Sequence, residues 1–511
     1  MKTLVIFAFT AVSLFSFSGF AQEDVLGTDE QRAAGKKIYD AKCAQCHGYN
    51  GDAESVAKSH FRPQPRNFTS ATFKFRTTEN GQLPTHEDIK RSITHGMPYT
   101  GMPAWKNFSD KELDNLAFYI KTFAEDDFKE YSSEAVPVEL PDPPAWSDES
   151  AKRGRIVFEE NQCVDCHGNL GRGDGKSGPT LKDQWEIPIR PADLTKPWTF
   201  RGGGTRADIF RTFTTGLDGS PMPAYNIQPP EDQWALVDYV YSLRRSDGPN
   251  YSIAVIARGT DEELDVSQGR ALFEDTPDAF FPVAGQVIEP GRAFFPGVNA
   301  IEVNAVYNQN DIAIMLTWHD MSAETSGENS LLMTVDEAED NHAAADTSPS
   351  PYSDAAAILL PSRMPEGAEK PYFLFGDSKN PMDIWFADLA KDTPMFFIGK
   401  GSKNIEAGNE NLALYSNFDQ GQWTVIFKRS RKKENGLSFS QGQFLPIAFS
   451  VWDGFNRERG NKRGVTAWYH IYLEPMDQPS PAGSMAKYGG LTFLGLLAIV
   501  AAVRLKNRNN A

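Results

Sequence analysis

All four cysteines of the chain fall in two copies of one spacing, Cys43-Ala-Gln-Cys46-His47 and Cys163-Val-Asp-Cys166-His167. C-x-x-C-H is the spacing at which a c-type haem is attached. Two thiols three positions apart reach the two vinyl groups of one porphyrin, and the adjacent histidine is held against the iron as its proximal ligand. The competing uses of such a pair are thiol–disulfide exchange or half of a zinc site. A zinc site would draw two C-x-x-C pairs into one tetrahedron, and an exchange pair has no need of a histidine at the same position twice. The spacing therefore predicts two covalent haem c groups, on Cys43 and Cys46 and on Cys163 and Cys166, with His47 and His167 on the irons. No thiol is left over for a disulfide.

The two motifs belong to an internal repeat. Cys43 and Cys163, His47 and His167, Arg91 and Arg211, Gly96 and Gly216, and Met102 and Met222 are all 120 positions apart. Ahead of each motif runs a short helix-like segment, Gly35-Lys-Lys-Ile-Tyr39 or Gly154-Arg-Ile-Val-Phe158. Behind each come a Met-Pro loop and an amphipathic helix. The first of these helices starts at Ser109-Asp-Lys-Glu112, which reads as a capping box. Leu113, Leu116, Ala117 and Ile120 then share one face, and Trp234, Val237 and Tyr241 repeat the stripe. Each module resembles a small class I cytochrome c, over residues 27–125 and 147–246. The resemblance implies an all-α fold in which the last helix crosses the first, and sets domains at 22–126 and 145–247.

In that family the sixth iron ligand is a thioether, which raises the potential relative to bis-histidine ligation. Gly96-Met97-Pro-Tyr-Thr-Gly-Met102-Pro-Ala-Trp105 offers two methionines, and Gly216-Leu-Asp-Gly-Ser-Pro-Met222-Pro-Ala-Tyr225 offers one. The repeat offset selects Met102 for the first iron and Met222 for the second, setting Met97 opposite Leu217. His60, His86 and His95 have no counterpart in the second module and read as surface or loop histidines.

Residues 1–21 form a secretory signal: a lysine at position 2, an apolar stretch from Leu4 to Phe20, and a cut after Ala21. At the other end, residues 485–505 include the apolar run Tyr488–Val503, followed by Arg504, Lys506 and Arg508. The run is close to the ~20 residues that span a bilayer. The basic flank sets the tail in the cytoplasm, so the globular part faces the periplasm. A net charge of −17 argues against nucleic acid as a partner. Proline-rich stretches at 136–144 and 478–483 mark boundaries.

Residues 250–476 read as an all-β sandwich. Runs such as Ala300–Tyr307, Asp311–Trp318, Trp423–Phe427 and Ala467–Leu473 carry strand patterning between Gly, Asn and Asp turns. The fold class is thus multidomain: two all-α cytochrome c domains, one β sandwich and one C-terminal transmembrane helix.

The segments Leu316-Thr-Trp-His-Asp320, Asp354–Pro361, Pro371-Tyr-Phe-Leu-Phe-Gly-Asp377, Gly421-Gln-Trp-Thr-Val425 and Phe449-Ser-Val-Trp-Asp-Gly454 continue through Glu458-Arg-Gly-Asn-Lys462 to Trp468-Tyr469. They resemble the haem-binding domain of the ethylbenzene dehydrogenase gamma-subunit family, which includes gamma-type subunits of nitrite oxidoreductase and chlorate reductase. The resemblance implies one b-type haem between a methionine and a lysine. Its partners would be an iron–sulfur subunit and a molybdenum catalytic subunit, with electrons passed on to periplasmic cytochromes or the respiratory chain. Lys462 matches the family lysine. The family methionine precedes the Gly-Asp step, where this chain has Phe375, so Met382 is the nearest substitute, with Met364 behind it and His319 and His470 as other candidates. The chain has no nucleophile–base pair, phosphate loop or cofactor fingerprint and reads as an electron-transfer subunit, not an enzyme. The alternative reading is a dihaem shuttle between a quinol-oxidising complex and a terminal oxidase or reductase, its sandwich a binding module without haem.

Overall fold

The computed structural model describes residues 25–61, 63–245, 248–293, 296–336, 350–367, 369–433, 436–476 and 481–509. The signal segment 1–21 lies outside them. The described residues divide into two compact units. The first holds those up to Lys58, then Gln64–Pro141 and Arg211–Asn226; the second holds Ser59–Pro63, Asp142–Phe210 and everything from Ile227 onward.

The first unit is built on α1 (Asp29–Lys42), α2 (Ala44–His47), α3 (His86–His95), α4 (Asp110–Lys121) and α5 (Glu125–Tyr131). Thr28, Thr85 and Ser109 cap α1, α3 and α4, each in a reciprocal box with the residue three positions on. Leu113, Leu116, Ala117 and Ile120 of α4 are all buried, joining Tyr39, Phe68 and Ile93 in one core. Helices α1 and α4 touch at Gly35, where a Cβ would stand 2.0 Å from the Asn115 carbonyl oxygen, so only glycine allows the approach.

The second unit repeats this plan with α6 (Asp148–Glu160), α7 (Val164–His167), the start of α8 (Arg206–Thr215) and α9 (Pro230–Ser242). Gly154 of α6 stands where a Cβ would lie 1.8 Å from the Ala235 carbonyl oxygen, the same contact one repeat later. The repeat is not residue-perfect. The Cys43 N–H donates to Tyr39 O, four residues back, whereas Cys163 donates to Phe158 O, five back; the extra residue is accommodated at Gln162, whose φ is +57°.

The rest of the second unit is β1 (Ala254–Gly259), β2 (Ala279–Pro282), β3 (Ala284–Gly285), β4 (Ala300–Tyr307), β5 (Asp311–His319), β6 (Ala355–Pro361), β7 (Met382–Asp388), β8 (Met395–Gly399), β9 (Ile405–Ala407), β10 (Ala413–Asp419), β11 (Gln422–Ser430), β12 (Phe444–Trp452), β13 (Gly464–Val465) and β14 (Tyr469–Leu473). They hydrogen-bond in the order β10-β11-β5-β4-β1-β14-β12-β6-β7-β8-β9, with β2 on β4 and β13 joining β12 to β3. Strand β12 pairs with β14 through Phe444–Ile447 and with β6 through Ala448–Trp452, so the sheet turns there. Strands β6 and β7 are buried along their whole length; β6 is accordingly a continuous apolar run, whereas β7 also buries Asp383 and Asp388, which accept from Ser362 and Ser353. Trp318, Phe427, Trp385 and Phe449, from both sides of the turn, share the main core.

A final helix, α10 (Pro481–Asn509), contains the apolar stretch Met485–Leu505, 21 residues long and unburied.

Candidate functional site: two haem-attachment helices

Both cysteine motifs fold the same way. The helix before the motif ends at the first cysteine, and a four-residue helix carries the rest, with the His47 N–H donating to Cys43 O and the His167 N–H to Cys163 O, each at 2.9 Å. Gly48 and Gly168, both at φ +75°, end these helices. All four cysteines are half-buried. Burial pushes the Cys43 and Cys163 thiols up to about 11.

The histidines carry the more informative geometry. His47 Nδ1 lies 2.9 Å from Arg66 O, and His167 Nδ1 lies 3.0 Å from Ala192 O. A carbonyl oxygen only accepts, so Nδ1 holds the proton in both and Nε2 keeps its lone pair for a metal. Burial lowers both imidazole pKa values, which favours the neutral ligating form. The His47 ring stacks on Phe68 at 4.6 Å. The residues present therefore fit two c-type haems.

The methionine loops match in backbone detail. Met97 N–H donates to Met102 O, and Leu217 N–H to Met222 O, both at 3.0 Å. Thr100 Oγ1 and Ser220 Oγ each accept from the following methionine N–H and donate to the carbonyl at the loop start. Gly96 and Gly216, at φ +64° and +65°, open the two loops. In the first unit Met102 and Cys43 both border the module core. The Met222 loop also falls in the first unit, where the buried Arg76 side chain donates to Thr215 O at 3.0 Å and pairs with Asp218 at 2.9 Å. Neither partner of Arg76 was legible in the repeat, because Asp218 stands opposite Pro98.

Between these fixed points the modules diverge. Phe68 N–H donates to Gly51 O and Leu194 N–H to Gly171 O, spans of 17 and 23 positions. The second module thus has six more residues here and six fewer before Arg211, and the constant offset of 120 conceals both changes. Within the second unit the longer loop meets the β domain. Arg172 Nη1 donates to Gln420 O at 3.2 Å, Asp174 Oδ2 lies 3.6 Å from His319 Nε2, and Arg190 donates to Gly297 O at 2.9 Å and to Asp453 Oδ2 at 2.7 Å. His319 therefore faces the second haem module. His470 is half-buried on β14, its ring 6.3 Å from Phe444.

Of the b-type haem candidates, Met382 is fully buried with Phe375, Phe386, Phe397 and Trp452, and Lys462 is 7% exposed. Met364 is exposed. Beside Lys462, the wholly buried Arg463 lies 3.7 Å over the Phe375 ring. Its Nη1 donates to Gly460 O and Asn461 Oδ1, while Nε and Nη2 have no hydrogen-bond partner among the described residues. Burial brings this guanidinium down to about 9.

Comparison with known proteins agrees with this geometry. Residues 30–120 match the family of cytochrome c oxidase, cbb3-type, subunit III, and residues 151–244 match cytochrome c. The chain is 26% identical over 162 residues to a putative respiratory nitrate reductase heme subunit of Haloferax mediterranei, covering 31% of this chain and 58% of that one, less than two thirds of its length. It is 24% identical to chlorate reductase subunit gamma of Ideonella dechloratans, over 36% of this chain and 70% of that protein. It is 30% identical to cytochrome c-554(547) of Halothiobacillus neapolitanus over 90 residues, 18% of this chain and 93% of the relative. With two attachment helices, two matched domains and a small cytochrome covered almost end to end, the chain belongs to the cytochrome c family.

Proposed function

We propose that this chain is a membrane-anchored electron-transfer subunit facing the periplasm, which relays electrons between the iron–sulfur subunit of a molybdenum oxidoreductase and the respiratory chain. The observation that carries the reading is the pair of histidines that present Nε2 from matched cysteine helices, one of them in a module seated on a large β domain. Each haem supplies one-electron Fe(III)/Fe(II) cycling. The chain's own groups would fix the potential: Cys43, Cys46, Cys163 and Cys166 would tether the porphyrins, His47 and His167 would each ligate an iron through Nε2, and Met102 and Met222 would each supply a thioether. The likeness to a nitrate reductase heme subunit and to a chlorate reductase gamma subunit supports a place in an oxyanion-metabolising complex. Nitrite oxidation leads on family resemblance, with chlorate-like reduction next.

The β domain is read as a sandwich in which Lys462 and Met382 would hold a b-type haem through its iron. The unpartnered Nε and Nη2 of Arg463, buried next to Lys462, suit a propionate. The helix at 485–505 is read as the anchor.

Mild-detergent purification with mass spectrometry and metal analysis tests this. A molybdenum polypeptide and an iron–sulfur polypeptide in stoichiometric amount are expected. Isolation alone, or with a quinol-oxidising complex, contradicts the reading in favour of a dihaem shuttle.

A further inference from the structure

Five carboxylates converge where β5 and β12 end. Asp320 follows β5, Asp453 follows β12, Asp354 precedes β6, and Glu324 and Glu458 lie on the neighbouring loops. Asp320, Asp354, Asp453 and Glu458 are each at most 2% exposed. Most of their oxygens are accounted for by donors. Asp354 accepts from the N–H groups of Glu324 and Gly454 and from Trp423 Nε1. Glu458 accepts from Gly297 N and Asp453 N, and Asp453 accepts from Arg190 Nη2 and Asn456 N. Glu324 Oε1 accepts from Ser322 Oγ.

Asp320 is the exception. It is 2% exposed, yet among the described residues neither carboxylate oxygen has a hydrogen-bond partner, and Glu324 Oε2 has none either. A buried carboxylate without a partner is costly by several kcal/mol. Asp320, Glu324 and Asp453 each place an oxygen within 4.8 Å of the others', a separation that one ion bridges. Arg190 offsets one charge of the five.

We infer that Asp320, Glu324 and Asp453 hold a divalent cation of the calcium class. The donors are oxygen only, which favours hard ions over zinc or copper. A protein-lined site with two carboxylates from the segment after β5 and one from the end of β12 suits the flexible six-to-eight-fold shell of Ca²⁺ better than the strict, water-retaining octahedron of Mg²⁺. The bound ion ties the ends of β5 and β12 together at the point where Arg190 of the second cytochrome module contacts Asp453.

The test uses the full-length detergent-purified holoprotein, stripped with EGTA and titrated calorimetrically with CaCl₂, with thermal unfolding followed in parallel. The inference predicts a single calcium per chain, a rise in Tm on adding it, and affinity weakened more than about tenfold in D320N and in E324Q. E324Q, at a half-exposed position, keeps the test informative if D320N fails to fold. Absence of calcium binding by the wild type overturns the inference. So does binding undiminished in the variants, which would place the ion elsewhere.

Discussion

Replacing Met102 or Met222 by alanine removes one soft ligand from one iron, so each variant is expected to lose a methionine-to-iron band in the near infrared and to lower the potential of that haem. M97A is expected to keep both bands, because Met97 serves the loop through its backbone N–H. Loss of a band in M97A with both retained in M102A would reverse the assignment. Lys121 offers a second test. Burial brings its ammonium from an ordinary 10.5 down to about 8, although it donates to Val25 O at 3.2 Å. A depressed lysine pKa disfavours the charged form in the fold, so the penalty is fully present below pH 8 and is relieved as pH rises toward 10.5. K121M should therefore be more stable than the wild type at pH 7, by about 1–2 kcal/mol. That difference should shrink by pH 10. Thermal unfolding of both proteins across this range checks the sign; a difference independent of pH contradicts it.

At the scale of elements, the helix crossings rest on two glycines. G35A and G154A each push a methyl group into a backbone carbonyl, and each is expected to destabilise its module by more than about 3 kcal/mol. Retention of the wild-type Tm in either variant would mean that the helices separate at no cost. The Ser109 cap and the strands β4 and β5 were legible in the sequence, because a local cap and strand patterning dictate them, whereas the crossings were implied only by the resemblance of each module to a class I cytochrome c. The acceptors Arg66 O and Ala192 O were not, since a backbone carbonyl leaves no trace in residue type. The six-residue loop change was hidden because a gain and a loss cancel before Arg211. The carboxylate cluster was hidden because its members are spread from Asp320 to Glu458 and meet only when β5, β6 and β12 come together. A stop after Pro481 removes α10 and is expected to release a soluble dihaem protein without detergent. Persistence in the membrane fraction would point to a tight partner.

At the scale of the molecule, covalent attachment and ligand type set what the chain can do. If Met102 and Met222 complete the ligation proposed above, neither iron would keep an open position for substrate, as electron transfer requires. A b-type haem on Lys462 and Met382 would add a third redox group, one that acid–acetone extracts, whereas thioether-linked haem stays with the polypeptide. Two covalent haems of matched ligation can be read out by reductive titration of the purified full-length protein, combined with its intact mass after acid–acetone extraction. Two retained haems per chain and two one-electron c-type transitions are the expected result, each transition lost on replacing the cysteines of its own motif. A single retained haem, or none, contradicts it.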